Sequence, residues 1–278
     1  MSFQLTDQEY ETVRRLVYEY SRIDLGEKRR ELVAARLGKR LKATGLPDYA
    51  SYCAFLTSPQ GAQELTHLVD AISTNHTFFF RELKHFEFLR ETILPAYVQN
   101  AAREGLPPVF RTWSAGCASG EEPYSIAIFL DLFFRSHPQW SWQVEATDIS
   151  TRILGQALQG IYPADRLREV QPDWLPAYFQ KGIGSREGQF RVKESVRRHV
   201  LFQHLNLLQG PPPFPGGLPL IWCRNVMIYF DQATQQQLLE KLSDLLMPGG
   251  YLFIGHSESL AGVRHNLRPV RPAIYRKA

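Results

Sequence analysis

The sequence predicts an α/β domain with a mostly parallel sheet, preceded by an all-helical N-terminal domain. Up to about residue 70 the apolar residues recur at helical spacing. After that point apolar runs alternate with helical stretches, which is typical of a parallel sheet with helices on both faces. Between about residues 178 and 208 this alternation breaks into three short strand-like runs, which indicate a small antiparallel β-subdomain inserted into the α/β domain.

The helical domain is expected to span residues 1–70. Thr6 and Glu9 have the spacing of a capping box and predict the start of the first helix. In the second helix, within residues 25–44, the apolar stripe is expected at Ala34, Leu37 and Leu41. The runs "LPDYASYCAFL" and "GAQELTHLVDAIS" predict two further helices.

The second helix is strongly basic. Residues 25–44 carry seven Lys or Arg against two Glu, and Arg29, Arg36 and Arg40 line up beside the apolar stripe. One interpretation is a solvated face that contacts only water. The other is a docking face for an acidic surface, either nucleic acid or an acidic helix.

The α/β domain is expected over residues 71–278. In chain order its strand and helix patterns are "PVFRTWSAG", "EEPYSIAIFLDLFF", "WQVEATD", "STRILGQALQ", then the inserted runs "YFQKG", "GQFRVKESVRR" and "HVLFQHLNLL", and finally "LPLIWCRNV", "TQQQLLEKLSDLL" and "GGYLFIGHSES". Strands of this kind place a ligand beyond their carboxyl ends, against the first strand-to-helix turn.

That first turn, "SAGCASGEEPYS", suits a cationic ligand. Gly116 and Gly120 are expected to let the backbone approach the ligand, and Glu121 and Glu122 open the following helix. A carboxylate at this position disfavours phosphate. Asp148 ends the next strand, where such folds hold ribose hydroxyls; alternatively it is the N-cap of the helix that follows. A positively charged nucleoside without phosphate describes S-adenosylmethionine.

Composition and segment patterns narrow the class of protein. The start of the chain has no signal-peptide pattern and no window is long and apolar enough for a membrane span, which indicates a cytoplasmic protein without membrane insertion. The three cysteines, Cys53, Cys117 and Cys223, are far apart and predict neither a disulfide framework nor a zinc site. No other metal cluster is expected.

Five motifs carry a family resemblance. In order along the chain they are "STNHTFFFRELKHF", "RTWSAGCASGEEPYSIA", "EATDIS", "CRNVMIYFD" and "MPGGYLFIGHSESL". Together they resemble the chemotaxis receptor methyltransferases, the CheR family, from about residue 5 to residue 275. The resemblance implies a Rossmann-like methyltransferase domain that transfers a methyl group from S-adenosylmethionine to glutamate side chains of chemoreceptors. The products are S-adenosylhomocysteine and glutamate methyl esters, which serve chemosensory adaptation.

The resemblance also implies a site. The cofactor-binding residues are expected to be Asn75, Thr77, Arg81, Gly116, Glu121, Asp148, Asn206, Leu207, Arg224 and Asn225. Arg81 is matched to the cofactor's carboxylate, Glu121 to its amino group, Asp148 to its ribose, and the pair 206–207 to its adenine. Arg81 and Tyr229 are the catalytic candidates.

Other polar and aromatic residues of these motifs are interpreted as structural. His76 and His256 are expected to form local hydrogen bonds instead of acting as catalysts. For Phe78, Phe79 and Phe80 a place in the core is expected, with one ring lining the pocket.

Partners follow from the same resemblance. Acidic receptor helices are the expected substrate, with Arg29, Arg36 and Arg40 as the docking residues. In some family members the β-subdomain binds a C-terminal tethering peptide of the receptor, and nothing in residues 178–208 decides this here. A monomer that binds no nucleic acid is expected.

Two other functions stay open at this point. One is a nucleic-acid methyltransferase, although enzymes that methylate base amino groups usually carry an Asn-Pro-Pro-Tyr-like turn after the fourth strand, where this chain has "RNVMIYF". The other is a binding module that keeps the fold but has lost turnover.

Overall fold

The computed structural model describes residues 4–73 and 77–278 and divides into two compact units. The first unit comprises the chain up to residue 73 together with Ile228–Gln235. The second comprises residues 77–227 and Gln236–Ala278. The contribution of Ile228–Gln235 to the first unit has no counterpart in the sequence pattern, because it depends on contacts between distant parts of the chain.

The first unit is helical. Its helices are α1 (Asp7–Ser21), α2 (Arg30–Thr44), α3 (Tyr49–Leu56) and α4 (Ala62–Ile72). The capping box at the start of α1 is confirmed: the Thr6 hydroxyl accepts from the Glu9 backbone N–H, and the Glu9 carboxylate accepts from the Thr6 N–H at 2.8 Å. Asp48 caps α3 by accepting the Ser51 N–H at 2.8 Å. Each cap satisfies a backbone donor that a helix start leaves without a helical partner.

Helix α2 turns a slightly different face inward than the sequence predicts. Its buried residues are Val33, Leu37 and Leu41, whereas Ala34 is only half-buried. Alanine offers little apolar area, so the larger valine one position away takes the core place.

Arg40 does not belong to an exposed basic stripe, which corrects the expectation for this residue. Its Nε and Nη2 donate to the two oxygens of Glu64 at 2.8 and 2.6 Å, and the Tyr52 hydroxyl donates to Glu64 at 2.6 Å. Glu64 is 6% exposed. A buried carboxylate needs such partners, and therefore Arg40 is a structural residue of the helical unit.

The second unit contains a seven-stranded sheet and a three-stranded sheet. Its strands are β1 (Val109–Ala115), β2 (Ser141–Asp148), β3 (Ile161–Pro163), β4 (Phe179–Lys181), β5 (Gln189–Val192), β6 (Val200–His204), β7 (Leu218–Trp222), β8 (Leu246–Phe253), β9 (Leu267–Arg271) and β10 (Ile274–Lys277). Its helices are α5 (Leu83–Phe88), α6 (Leu94–Glu104), α7 (Glu121–Phe134), α8 (Thr151–Gln159), α9 (Trp174–Tyr178) and α10 (Glu194–Arg197), and α11 (Gln232–Leu245) begins in the first unit.

The large sheet has the strand order β6-β2-β1-β7-β8-β10-β9. The first five of these strands are parallel, and β10 and β9 add an antiparallel hairpin at one end. All five residues of β7 are buried, as expected for a central strand covered on both faces. This confirms the predicted α/β class with its Rossmann-like arrangement.

The small antiparallel sheet differs in one strand from the sequence expectation. Its order is β3-β5-β4, so Ile161–Pro163 supplies the third strand. The run Val200–His204, assigned from its pattern to the β-subdomain, instead pairs in parallel with β2 of the large sheet. Residues 161–163 follow α8 after a single glycine and show no strand pattern separate from the helical run. Alternation alone does not tell which sheet a strand joins. None of the helices in the described ranges has the length and apolar character required to cross a bilayer.

Candidate functional site

The carboxyl ends of β1 and β2 meet at the loop of residues 116–120. Ala115 lies opposite Thr147, and the Thr147 carbonyl accepts the next two backbone N–H groups of the loop at 2.8 and 2.9 Å. The Asp148 carboxylate accepts the N–H of Ala118 at 2.9 Å and that of Ser150 at 2.9 Å. Ser150 caps α8, so Asp148 is not the N-cap. Asp148 therefore joins the two strand ends.

The two glycines of this loop are required by backbone conformation and packing. Gly116 has φ +83°, and a Cβ there would lie 2.5 Å from Val226 Cγ2. Gly120 has φ +96°, and its Cβ would lie 2.8 Å from the Tyr162 hydroxyl. Both φ values fall in the left-handed region that favours glycine. From the sequence, these glycines are expected to let the backbone approach a ligand. The structure shows that backbone conformation and packing require glycine at both positions even when no ligand is considered.

Glu121 is a buried carboxylate at the start of α7. It is 1% exposed, and its partners are the Ser119 hydroxyl at 2.6 Å and the Arg166 Nη1 at 3.5 Å. Burial raises the pKa of Glu121 above its ordinary value, although Ser119 and Arg166 oppose this. Such a carboxylate favours a cationic ligand group, which would compensate the cost of burying its charge.

Arg166 is a site residue that the sequence reasoning missed. Besides approaching Glu121, its Nη1 donates to the Thr77 carbonyl at 2.7 Å. It therefore joins the segment after residue 76 to the start of α7. Its position after β3, far from either partner in the chain, gave no signal in the sequence.

Asn206 and Leu207 lie beside Asp148 because β6 pairs with β2. The Leu205 N–H donates to the Asp148 carbonyl at 3.0 Å, and the next two residues are 9% and 8% exposed. The Asn206 side chain accepts the Leu208 N–H at 3.1 Å. An amide and an apolar side chain thus stand at the end of the strand next to Asp148.

Arg224 lies at the centre of a buried ion network. Its Nη2 is 2.9 Å from the Glu82 carboxylate and 2.5 Å from the Arg81 carbonyl, and its Nη1 is 3.0 Å from Glu122. Burial raises the pKa of Glu122, while Arg224 lowers it. The family resemblance implies that Arg224 contacts the cofactor. In this structure its guanidinium donates to Glu82, Glu122 and the Arg81 carbonyl, and it holds the backbone at Arg81 in place.

Asn225 is held by a second acid that the sequence reasoning did not single out. Its N–H and that of Gly255 both donate to Glu258, at 2.7 and 2.6 Å. A Cβ on Gly255 would lie 2.3 Å from Asn225 Nδ2, which is why glycine stands there. Glu258 belongs to the motif "GHSESL". The motif contains the residue, but its contact with the Asn225 backbone does not follow from the motif.

Backbone strain is concentrated in these loops. Among the described residues, six other than glycine have positive φ, and four of them are in the site loops: Phe80, Glu82, Ala118 and Asn225. Each such residue costs on the order of 1–3 kcal/mol and is typical of functional sites, where the surrounding contacts enforce the conformation.

The aromatic stretch before α5 is mainly core. Phe79 and Phe80 are 0% and 5% exposed, as expected, while Phe78 is half-buried and its ring centroid lies 5.9 Å from the Arg81 guanidinium carbon. Thr77 is also half-buried. Asn75 and His76 lie outside the described residues.

Tyr229 belongs by its contacts to the first unit. Its carbonyl accepts the Asp24 N–H at 2.9 Å, and the Arg29 guanidinium carbon lies 4.8 Å from the centroid of its ring. Arg29 is thus engaged in a cation–π contact. Arg36, another arginine of the expected docking face, is half-buried on α2.

Glu82, His85 and His256 could in principle offer three ligand atoms to a metal, since these atoms lie within 4.8 Å of one another. However, Arg224 and the His256 N–H already bind the Glu82 carboxylate, the latter at 3.1 Å. The Arg224 guanidinium lies 2.9 Å from the Glu82 carboxylate, and its positive charge would repel a metal cation bound there. Burial lowers the pKa of His85 to about 3, so this ring is neutral.

Comparison with known proteins gives full-length matches. The domain family described as "CheR methyltransferase, SAM binding domain" matches residues 75–275, and "CheR methyltransferase, all-alpha domain" matches residues 8–73. A chemotaxis protein methyltransferase of Borreliella burgdorferi is 40% identical over 279 residues, covering 100% of this chain and 96% of the relative. That of Escherichia coli is 39% identical, covering 92% and 86%. Chemotaxis protein methyltransferase 2 of Pseudomonas aeruginosa is 38% identical, covering 99% and 95%.

Proposed function

The chain belongs to the CheR methyltransferase family, and from this membership we propose that it methylates glutamate side chains of chemoreceptors with S-adenosylmethionine. One observation supports this most: the family's S-adenosylmethionine-binding domain matches the unit in which Glu121, Asp148 and Asn206 gather at neighbouring strand ends. These are acidic and amide groups, and they suit a cationic nucleoside.

Each part of the cofactor has a proposed partner. The Glu121 carboxylate would bind the cofactor's ammonium group, which removes the cost of its burial. Asp148 would accept the ribose hydroxyls, because a carboxylate oxygen can accept more than one hydrogen bond. Asn206 and Leu207 would flank the adenine. Arg81, whose backbone the Arg224 network fixes, would bind the cofactor's carboxylate.

The reaction requires placement more than acid–base catalysis. A glutamate side chain has an ordinary pKa near 4.3, so at neutral pH the receptor carboxylate is already a nucleophile. S-adenosylmethionine supplies a methyl group on positively charged sulfur, which the carboxylate oxygen attacks in line as the carbon–sulfur bond breaks. The protein's contribution is to hold the two groups aligned, and such alignment supplies on the order of 7 to 11 kcal/mol. Tyr229 is the proposed catalytic residue beside the methyl group.

The domain roles are proposed from the same membership. Residues 1–70 would dock acidic receptor helices, with Arg36 and Arg29 as the arginines not tied into a buried carboxylate, and residues 71–278 would carry the chemistry. The protein would act in the cytoplasm as a monomer.

A receptor tethering peptide is proposed to add to the small antiparallel sheet. Its strand order leaves β3 and β4 at the two ends, and β4 is followed by Ile183, which is 85% exposed. An edge strand is where an extended peptide can add as a further strand through main-chain hydrogen bonds, and an exposed apolar side chain nearby offers it a contact.

Transfer of radiolabelled methyl groups to chemoreceptor-containing membranes tests the reaction class. After incubation with labelled S-adenosylmethionine, the membranes are treated briefly at high pH, which hydrolyses carboxyl esters but leaves N-methyl groups. Label released as volatile methanol is the expected result. Label that resists alkali would indicate nitrogen methylation and contradict the proposal.

A further inference from the structure

The charged side chains of residues 264–278 are all positive. Residues 264–278 contain five Lys or Arg and no Asp or Glu. The whole chain has 32 Lys and Arg against 28 Asp and Glu, so the remainder would have 27 against 28. This short segment therefore contains the entire positive excess of the molecule.

Four of these cations form an exposed set on and beside the hairpin of β9 and β10. We name Arg264, Arg268, Arg271 and Arg276 the basic hairpin cluster; all four are exposed. Within residues 4–73 and 77–278 no carboxylate forms an ion pair with any of them. Two of these arginines contact uncharged groups. Arg276 donates to the Gly249 carbonyl at 3.0 Å, and the Arg271 guanidinium carbon lies 4.9 Å from the centroid of the Phe88 ring.

The arrangement is unfavourable for the isolated protein. Arg268 on β9 lies directly opposite Arg276 on β10, and like charges in facing positions destabilise a sheet. Cations and Pro269 on β9 do protect an end strand against pairing with other chains. That explanation does not extend to Arg276, because β10 is paired on both sides. A local conflict of this kind indicates a functional requirement.

The hairpin turn lies at the same edge of the sheet as the site. β10 runs antiparallel to β8, with Ile274 opposite Phe253 at the carboxyl end of β8, and the Ala273 carbonyl accepts the Ile254 N–H at 3.0 Å. The chain then continues into Gly255 and Glu258, which hold Asn225. The Arg271 end of the cluster is therefore next to the loop that forms one side of the site.

We propose that the basic hairpin cluster docks the acidic surface of the receptor substrate beside the glutamate that is methylated. This inference rests on the proposed function, because a protein methylated at several glutamates presents a negative surface complementary to the cluster. Each ester formed removes one negative charge from that surface. The cluster therefore binds the unmethylated receptor more tightly than the methylated product.

The experiment uses the full-length enzyme and a soluble cytoplasmic fragment of a chemoreceptor, which excludes the lipid bilayer. The variant Arg268→Glu/Arg271→Glu is compared with Arg168→Glu, which reverses an exposed arginine that likewise lacks an ion pair in the described chain. At low salt the double variant should show KM for the fragment raised about tenfold with kcat unchanged, because steering by charge acts on association. The difference should disappear at high salt.

Affinity for S-adenosylmethionine, measured by titration calorimetry, reports whether each variant is folded. If replacing Arg271 disturbs its contact with Phe88, Arg264→Glu/Arg268→Glu keeps that contact and makes the same prediction.

The same assay is repeated with receptor in anionic membranes. Two results would overturn the docking proposal alone: a KM for the double variant on the soluble fragment equal to that of Arg168→Glu, or a raised KM that appears only with the anionic membranes, which would make lipid the partner. Failure of the wild-type enzyme to methylate any receptor would refute the proposed function and the docking proposal with it.

Discussion

At the residue scale, Glu121 shows a conflict between stability and binding. Its carboxylate is buried, and its raised pKa means that the folded protein disfavours the charged form. Such a group destabilises the free protein at neutral pH but suits a cationic ligand. The sequence predicted Glu121 from its place at the start of the helix after the first turn, and Asp148 from its place at the end of the next strand, because parallel sheets bring these positions together.

Glu121→Gln should therefore raise stability and weaken cofactor binding. The free energy of unfolding in urea is expected to rise by about 1 kcal/mol, because the neutral amide is cheaper to bury. Affinity for S-adenosylmethionine should fall roughly tenfold to a hundredfold, since a hydrogen bond between charged groups contributes about 1.5–3 kcal/mol. Glu104→Gln, at an exposed position, is the control. Unchanged cofactor affinity would remove Glu121 from the site.

Arg166, Glu82 and Glu258 show the limit of residue-level reasoning. Their partners are Thr77, the guanidinium of Arg224 and the backbone of Asn225. Each contact joins parts of the chain that are far apart or depends on a left-handed backbone. No spacing rule in the sequence predicts such contacts, because they follow from how the loops close after the strands have paired.

At the element scale, the sequence correctly predicted that α2 is a helix, but it did not predict which of its arginines are exposed. Helical periodicity locates the inner face through Leu37 and Leu41. It does not reveal that an acid on α4 is buried opposite Arg40. Cations at helical spacing look alike in a sequence whether they face water or a buried carboxylate.

Arg40→Ala should destabilise the helical unit strongly. It would leave Glu64 buried without its cation, and removal of one partner of a buried pair typically costs about 3–5 kcal/mol. Arg36→Ala on the same helix is the matched control and should change stability by less than about 0.5 kcal/mol. Urea unfolding followed by circular dichroism measures both. Equal effects of the two substitutions would show that Arg40 is a surface residue after all.

The strands show a similar limit. The alternating pattern of Val200–His204 was recognised as a strand but not placed in the correct sheet. Its partner β2 has its own run of buried residues, and either sheet could have satisfied the pattern. Pairing is decided by the connection between strands and by tertiary packing, which a local pattern does not contain.

At the scale of the whole molecule, the pH dependence of folding should contain a contribution from His85. Its folded pKa is about 3 against an ordinary value of 6.5, so the unfolded chain takes up a proton that the folded chain does not. This contribution to stability is complete above about pH 6.5 and is lost as the pH falls below it.

Between about pH 6 and pH 4.5, stability should fall with a slope that includes about 1.4 kcal/mol per pH unit from this group. His85→Phe keeps an aromatic ring against Phe253 and removes the titration. Urea unfolding at several pH values gives the slope of stability against pH for each protein. Subtracting the variant slope from the wild-type slope removes the contribution of the carboxylates and leaves that of His85. Equal slopes would mean that His85 titrates normally in the folded protein.

In the proposed reaction, a glutamate carboxylate of a chemoreceptor receives the methyl group. The most direct measurement is peptide mass mapping of a soluble receptor fragment after incubation with the enzyme and S-adenosylmethionine, with Asp148→Ala as the paired variant. Mass increments of one methylene are expected on glutamate-containing peptides, and they should be lost after alkaline treatment and strongly reduced with the variant. Increments on other residues, or equal modification by the Asp148→Ala protein, would contradict the proposed reaction.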